Sequence, residues 1–149
     1  MSVLFSRQCE YALQAILYLA AHPGDKLIPI KSVADKLQIP YHFVSKTLQM
    51  LAKSGLIYSQ RGKQGGFCIN EASGRVTLLQ LIEAIDGRAF MEECVLGFRD
   101  CNSKDPCLLH DAWKKSRDEV GNILAKTSLK QLMSHYKRIP ALKRKLRLK

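Results

Sequence analysis

The chain has 149 residues, 46% of them hydrophobic, and a formal net charge of +11. That length suits one domain or a small domain with an appendage, and the apolar share is enough for a real core, which excludes a disordered polyelectrolyte. No secretory leader is visible and no stretch reaches the roughly 20 apolar residues that cross a bilayer, so the expectation is a cytoplasmic protein with no membrane partner. The charge is uneven, because residues 71–113 are net acidic while residues 1–70 and 137–149 are basic. A basic front and tail suit a polyanion. Five cysteines in such a compartment predict reduced thiols, metal ligands or redox sensors rather than structural disulfides.

Residues 5–21 predict a long helix. Ala12, Ala15, Ile16 and Leu19 form its core face, Tyr11, Leu13, Leu17 and Tyr18 widen it, and Arg7, Glu10 and Gln14 share a polar side. His22-Pro23-Gly24 closes it, and residues 25–29 are a linker. Residues 30–37 predict a second helix with Ile30, Val33, Ala34 and Leu37 on one face. Gln38-Ile39-Pro40 breaks it, because the residue before a proline is pushed out of the α region. Pro40 then suits the first turn of a third helix, residues 41–54. Val44, Thr47, Leu48 and Leu51 are its buried face; Tyr41, His42, Ser45, Lys46, Gln49 and Lys53 its open face; Gly55 is its stop. Residues 56–61 and 67–70 read as strands joined by the turn Gly62-Lys63-Gln64-Gly65-Gly66.

Helix, turn, helix and a basic glycine-rich hairpin make the plan of a winged helix-turn-helix, which predicts binding to double-stranded DNA. His42, Ser45, Lys46 and Gln49 are the expected groove-facing group, with Tyr41 at the helix start. Arg61 is the expected wing anchor, with Lys63 and Gln64 beside it, on a turn bare enough to press against a phosphate or a minor groove.

Past the turn Ser73-Gly74-Arg75, residues 76–85 predict a helix with Leu78, Leu81, Ile82 and Ile85 inward, stopped by Asp86-Gly87. Residues 90–106 have neither helical nor strand period and read as a loop. Residues 108–126 are helical again. There Leu109, Trp113, Ser116, Val120, Ile123 and Thr127 form a seam expected to pack on a second copy. Residues 128–136 predict a short last helix opened by a capping box of Ser128 and Gln131. The expected architecture is mainly α with a small β-hairpin. A winged helix-turn-helix spans residues 1–87 and a cysteine-bearing loop residues 88–107. A dimerisation helix and a final short helix occupy residues 108–136, and a basic tail residues 137–149.

The loop carries the chemistry. Six residues separate Cys94 from Cys101, five separate Cys101 from Cys107, and His110 follows three residues later. Three thiols on one loop can converge on a soft metal centre. The short C-x-x-C pair of structural zinc sites is absent, while iron–sulfur clusters accept looser thiolate spacings. Thiol oxidation at the same three cysteines is the open alternative. Cys107 with His110 lacks the orienting group that a nucleophile needs, so no enzyme is expected. Cys9 and Cys68 read as small packing residues.

The whole chain resembles the Rrf-type winged-helix iron–sulfur and redox regulators, the family that includes IscR and NsrR. The residues that carry the likeness begin with Glu10-Tyr11-Ala12-Leu13 and Ile39-Pro40-Tyr41. They continue with Leu51-Ala52-Lys53-Ser54-Gly55-Leu56, the wing Arg61-Gly62-Lys63-Gln64-Gly65-Gly66-Phe67, Leu81-Ile82-Glu83-Ala84-Ile85-Asp86-Gly87 and the three cysteines. The resemblance implies a homodimer with crossing long helices and a [4Fe-4S] or [2Fe-2S] cluster near their interface. It implies that cluster state, answering to redox, nitric oxide or iron–sulfur status, sets affinity for a palindromic promoter site. It also implies a fourth ligand. One branch of the family uses a carboxylate on the first helix of the other subunit, which is Glu10 here, and this is the preferred expectation. The other uses a histidine three residues past the last cysteine, which matches His110.

Overall fold

The computed structural model describes residues 4–22 and 26–138, so Pro23, Gly24 and Asp25, and the basic tail from residue 139 on, lie outside the described residues. The first helix, α1, is Arg7–Ala21. Ser6 caps it, its Oγ accepting the Cys9 N–H at 3.1 Å. The Ser6 N–H also donates to Asp86 Oδ2 at 2.8 Å and its hydroxyl to Asp86 Oδ1, which fastens the start of α1 to a distant acidic residue. Ala12, Ala15, Ile16 and Leu19 are buried, the stripe the apolar period predicts, and Ala20 is buried beside them.

Helices α2 (Ile30–Leu37) and α3 (Tyr41–Lys53) follow. Gln38 takes the left-handed conformation between them at φ 56°, and Ile39 is buried beneath the turn. Val44, Thr47, Leu48 and Leu51 are all buried, as their spacing demands. Strands β1 (Tyr58–Gln60) and β2 (Gly66–Cys68) pair antiparallel with Tyr58 opposite Cys68 and Gln60 opposite Gly66. They are shorter than the sequence suggests. Leu56 belongs to the helix exit, its N–H bonded to Leu51 O at 3.0 Å, and Ile57 is buried in the core. Ile28 adds an edge to the wing, exchanging both backbone hydrogen bonds with Phe67 at 2.9 Å.

A 3₁₀ turn, Ala72–Arg75, leads to α4 (Leu78–Asp86), which opens on a Thr77–Gln80 capping box and buries Leu81 and Ile82. Val76, predicted inside this helix, is extended instead. Its carbonyl accepts the Leu129 N–H at 2.8 Å. A short helix, α5 (Ala89–Glu92), stands where the sequence reads as loop from residue 90; Phe90 packs edge-on against Phe5 with centroids 5.6 Å apart. Helix α6 (His110–Lys126) packs chiefly on α4 and α5. Met91 of α5 fills the space above Gly121, the one buried residue of α6.

The last helix, α7 (Leu129–Arg138), returns to the winged unit and packs on α1 and the 3₁₀ turn. Ser128 and Gln131 form the predicted capping box: the Ser128 N–H donates to Gln131 Oε1 at 2.7 Å and the Gln131 N–H to Ser128 Oγ at 3.2 Å. A bridge between Thr77 and Ser128, with the Leu78 N–H on Thr127 O at 2.9 Å, splices α7 beside α4. The core around α1 and α3 therefore includes a residue well past 87, Leu129, and α6 packs against α4. No helix among the described residues is long and apolar enough to cross a membrane.

Candidate nucleic-acid interface and metal centre

The open face of α3 is the predicted one. Tyr41, His42, Lys46 and Gln49 are exposed and Ser45 is half-buried. Gln49 Nε2 donates to Ser45 Oγ at 3.0 Å, which presents the two side chains together. The exposed turn carrying Arg61, Lys63 and Gln64 stands across from them. Between helix and wing lies a groove of about 960 Å³ whose lining includes Lys31, Tyr41, Gln49, Lys53, Arg61 and Lys63. Cations on both walls and polar groups at the helix edge are the donor pattern that a phosphate backbone flanking base edges asks for.

The glycines of the wing have a structural duty the sequence does not reveal. A Cβ on Gly65 would lie 2.2 Å from Gln60 O, and one on Gly66 would lie 2.4 Å from Ile28 O. Both obstacles are backbone of the chain itself. Only Gly62, with nothing within 4 Å of an added Cβ, leaves bare space on the outer side.

The cysteine loop is folded tightly enough to bring its thiols together. Gly97, at φ 77°, closes a turn with its N–H on Cys94 O at 3.0 Å. Asn102 Oδ1 accepts the N–H groups of Lys104 and Asp105 at 2.8 and 3.1 Å. The sulfurs of Cys94, Cys101 and Cys107 all lie within 4.8 Å of one another. Cys94 Sγ is 3.6 Å from Cys107 Sγ, and Cys101 Sγ is 3.2 Å from His110 Nδ1. The Cys107 N–H donates to Cys101 Sγ at 3.4 Å.

Of the two candidates for a fourth ligand, His110 stands beside the trio. Glu10 is half-buried on α1 next to Cys9 and is not part of that donor group. Cys9 and Cys68 are buried core residues.

Trp113, expected on the outer seam, is turned to its own loop. Its indole N–H donates to Glu93 O at 3.0 Å, because a half-buried indole needs an acceptor. Arg117 Nη1 donates to the same carbonyl at 2.9 Å. Together they clamp the residue before Cys94 onto α6. Arg117 is not among the residues the sequence singles out. Its spacing from His110 and Trp113, seven and four residues, puts all three on one helix face, a signal hidden by tracing only apolar positions.

Electrostatics separate the thiols. Desolvation pushes the Cys94 thiol up, but hydrogen bonds from the Phe98 and Leu96 backbone and from the Cys107 and Cys101 thiols outweigh it and bring it down to about 7. At Cys101 the Cys107 amide pulls down, yet burial and the neighbouring thiols leave it raised. Burial and the nearby Asp86 carboxylate push Cys9 up to about 12. In metal-free native protein near pH 8, iodoacetamide should therefore label Cys94 at least about 10-fold faster than Cys9, since the thiolate is the nucleophile. Peptide mass spectrometry over a time course checks this; equal rates would contradict the geometry.

The comparisons with known proteins agree with this architecture. The family described as "Rrf2: Iron-dependent Transcriptional regulator" matches residues 5–135. The HTH-type transcriptional regulator IscR of Xenorhabdus nematophila is 27% identical over 126 residues, covering 85% of this chain and 76% of that protein. Two solved structures, each 24% identical, share the fold. CymR, the global cysteine regulator of B. subtilis, superposes with a TM-score of 0.73 over 90% of this chain and 98% of its own. IscR of T. potens superposes with a TM-score of 0.67 over 91% and 88%.

Proposed function

The chain belongs to the Rrf2 family of iron-dependent transcriptional regulators, and on that premise we propose that it is a cytoplasmic homodimer whose grip on a palindromic promoter site is set by an iron–sulfur cluster on Cys94, Cys101 and Cys107. It is a DNA-binding winged-helix regulator and not an enzyme. The observation that carries the cluster reading is the convergence of three thiols from one loop within 4.8 Å.

The donor chemistry fits. Three soft sulfurs and an imidazole fall into two pairs, Cys94 with Cys107 and Cys101 with His110. Such a set, three thiolates with one imidazole beside them, would hold an iron–sulfur cluster, a group that accepts cysteine and histidine ligands. The cavity they line is only about 20 Å³, so loading it means parting the thiols. The loop is exposed from Val95 to Asp100 and from Asn102 to Pro106, so no core packing opposes that movement. His110 is thus the fourth ligand that this chain offers from within one subunit, and Glu10 the one it offers across a dimer.

When bound, such a cluster supplies sensitivity to redox state and nitric oxide. The chain's own residues turn that into a DNA signal. Glu93 ties the loop to Trp113 and Arg117 of α6. Helix α6 runs into Thr127 and Ser128, which are bonded to the residues opening α4. A change in the loop is so passed to the winged unit. A coupling of about 1–3 kcal/mol alters affinity roughly 5- to 150-fold, enough for a switch. The dimer reading draws on α6, where Ile123 is 65% exposed and Leu109 41%, with Leu108 bare just ahead of the helix at 96%. A second copy covers that apolar strip. In functional terms residues 1–87 read DNA with Tyr41, His42, Ser45, Lys46, Gln49, Arg61, Lys63 and Gln64. Residues 88–107 sense, the long helix of residues 108–136 joins the subunits while the final short helix packs on α1, and residues 137–149 are a basic tail.

Oxygen-free purification tests this. The wild type should be coloured, carry iron and acid-labile sulfide, and change its promoter affinity when the cluster is removed. Cys107→Ala should carry neither and no longer respond. Colourless, iron-free protein whose DNA affinity ignores redox treatment would overturn the cluster. A second reading is favoured by the 3.6 Å between Cys94 and Cys107 sulfurs, a short step from a disulfide. It predicts iron-free protein whose DNA affinity is altered by a thiol oxidant and restored by dithiothreitol.

A further inference from the structure

Arg117 is half-buried on α6 and lines the same cavity as the three thiols and His110. One arm of its guanidinium is spoken for, Nη1 on Glu93 O at 2.9 Å. Its Nε–H is buried with no hydrogen-bond partner. Leaving a buried donor unpaired is costly, more so on a charged group, so the position calls for an acceptor. The charges lining the cavity say what kind. Glu92 reaches it too, but its carboxylate sits 3.9 Å from Arg88 Nε and is largely exposed. Among the described residues lining the cavity, Arg117 is therefore the cation. Opposite it stand three thiols that become thiolates on binding metal. Closely spaced anionic sulfurs, partly removed from water, need a compensating positive charge and N–H donors.

Resting on the cluster reading above, we propose that Arg117 is the positioning residue of the metal centre. Its Nη1 holds the loop at Glu93. Its Nε–H and charge face the sulfur side of the site, stabilising the more negative, reduced state and slowing loss of the group. Hydrogen bonds and charge around the sulfurs are known levers on cluster potential. Arg117 is not a ligand, and its side chain's hydrogen bond to the chain is the one to the Glu93 carbonyl at the edge of the loop.

The test compares wild type, Arg117→Gln and Arg117→Lys, each reconstituted without oxygen with ferrous iron and sulfide. Three quantities are read: the midpoint potential, the rate of iron release to a chelator, and the thermal melt of the metal-free form. Arg117→Gln is expected to shift the midpoint downward and to release iron at least roughly 10-fold faster. Its metal-free melt should match wild type. Arg117→Lys, which keeps the charge without the fork, should restore most of the potential. Equal potentials and release rates in all three, with wild type fully loaded, would overturn the role of Arg117 and leave the cluster standing. A wild type that takes up neither iron nor sulfide would overturn the cluster reading and this inference with it.

Discussion

Leu129→Ala is expected to destabilise the protein by about 2–5 kcal/mol, among the largest effects any single truncation here should have. Leu129 is fully buried at the first position of α7, in the core that includes Ile16, Leu19 and Leu81. Its N–H is bonded to Val76 O at 2.8 Å, so the helix start cannot slide to refill the space. The loss is the transfer energy of the removed methyls plus a cavity that stays open. For a chain of this size each kcal/mol lowers the melting temperature by about 2–4 °C, so the melting temperature should fall by about 4–20 °C. A melt within about 2 °C of wild type would mean that α7 is not docked as described. The substitution touches neither the DNA face nor the cysteine loop, so at low temperature the folded variant should still bind DNA. What it should weaken is the passage of the loop's state to the winged unit, because the junction at Thr127 and Ser128 is held by the seating of α7.

That junction is also where the sequence falls silent. The periodicity of α3 named Val44, Thr47, Leu48 and Leu51 as buried, and all four are. The capping residues Ser128 and Gln131 were legible because their pattern is local. A period says that a face is covered, and it cannot say by what. So the return of α7 to α1, and the backbone bonds that tie its start to Val76 and Leu78 some fifty positions earlier, left no trace in either segment. Trp113 shows the same limit. Its place on a stripe with Val120 and Ile123 suggested one common partner, yet its indole N–H found the Glu93 carbonyl while Ile123 stayed exposed. The cysteine trio was legible as a set, because soft ligands on one loop have few other uses. Its pairing with His110 was read from the sequence only as a resemblance; in the structure His110 Nδ1 lies 3.2 Å from Cys101 Sγ. The Arg117 hydrogen bond was invisible, since it depends on where the loop's carbonyl lands.

Gly66→Ala is expected to cripple DNA binding through the wing, although Gly66 itself need touch no DNA. An added Cβ would stand 2.4 Å from Ile28 O and 2.6 Å from Ile28 C, both backbone. The strand edge must therefore part, breaking the two 2.9 Å bonds between Ile28 and Phe67. Overpacking of this kind typically costs about 1–3 kcal/mol of stability. The functional loss should be larger, because Gly66 is also the last residue of the β1–β2 pairing, opposite Gln60, so the disturbance lands at the base of the turn that holds Arg61, Lys63 and Gln64. Each phosphate that the protein ceases to neutralise lowers the slope of log K against log salt by about 0.9. Arg61→Ala, with the fold intact, should lower it by about 0.9, and Gly66→Ala by about 2, through Arg61 and Lys63 together. Titration of a promoter fragment at several salt concentrations reads both slopes. If Gly66→Ala bound with the wild-type slope while its melt had fallen, the wing would be a structural hairpin alone. The burden of reading DNA would then rest on α3.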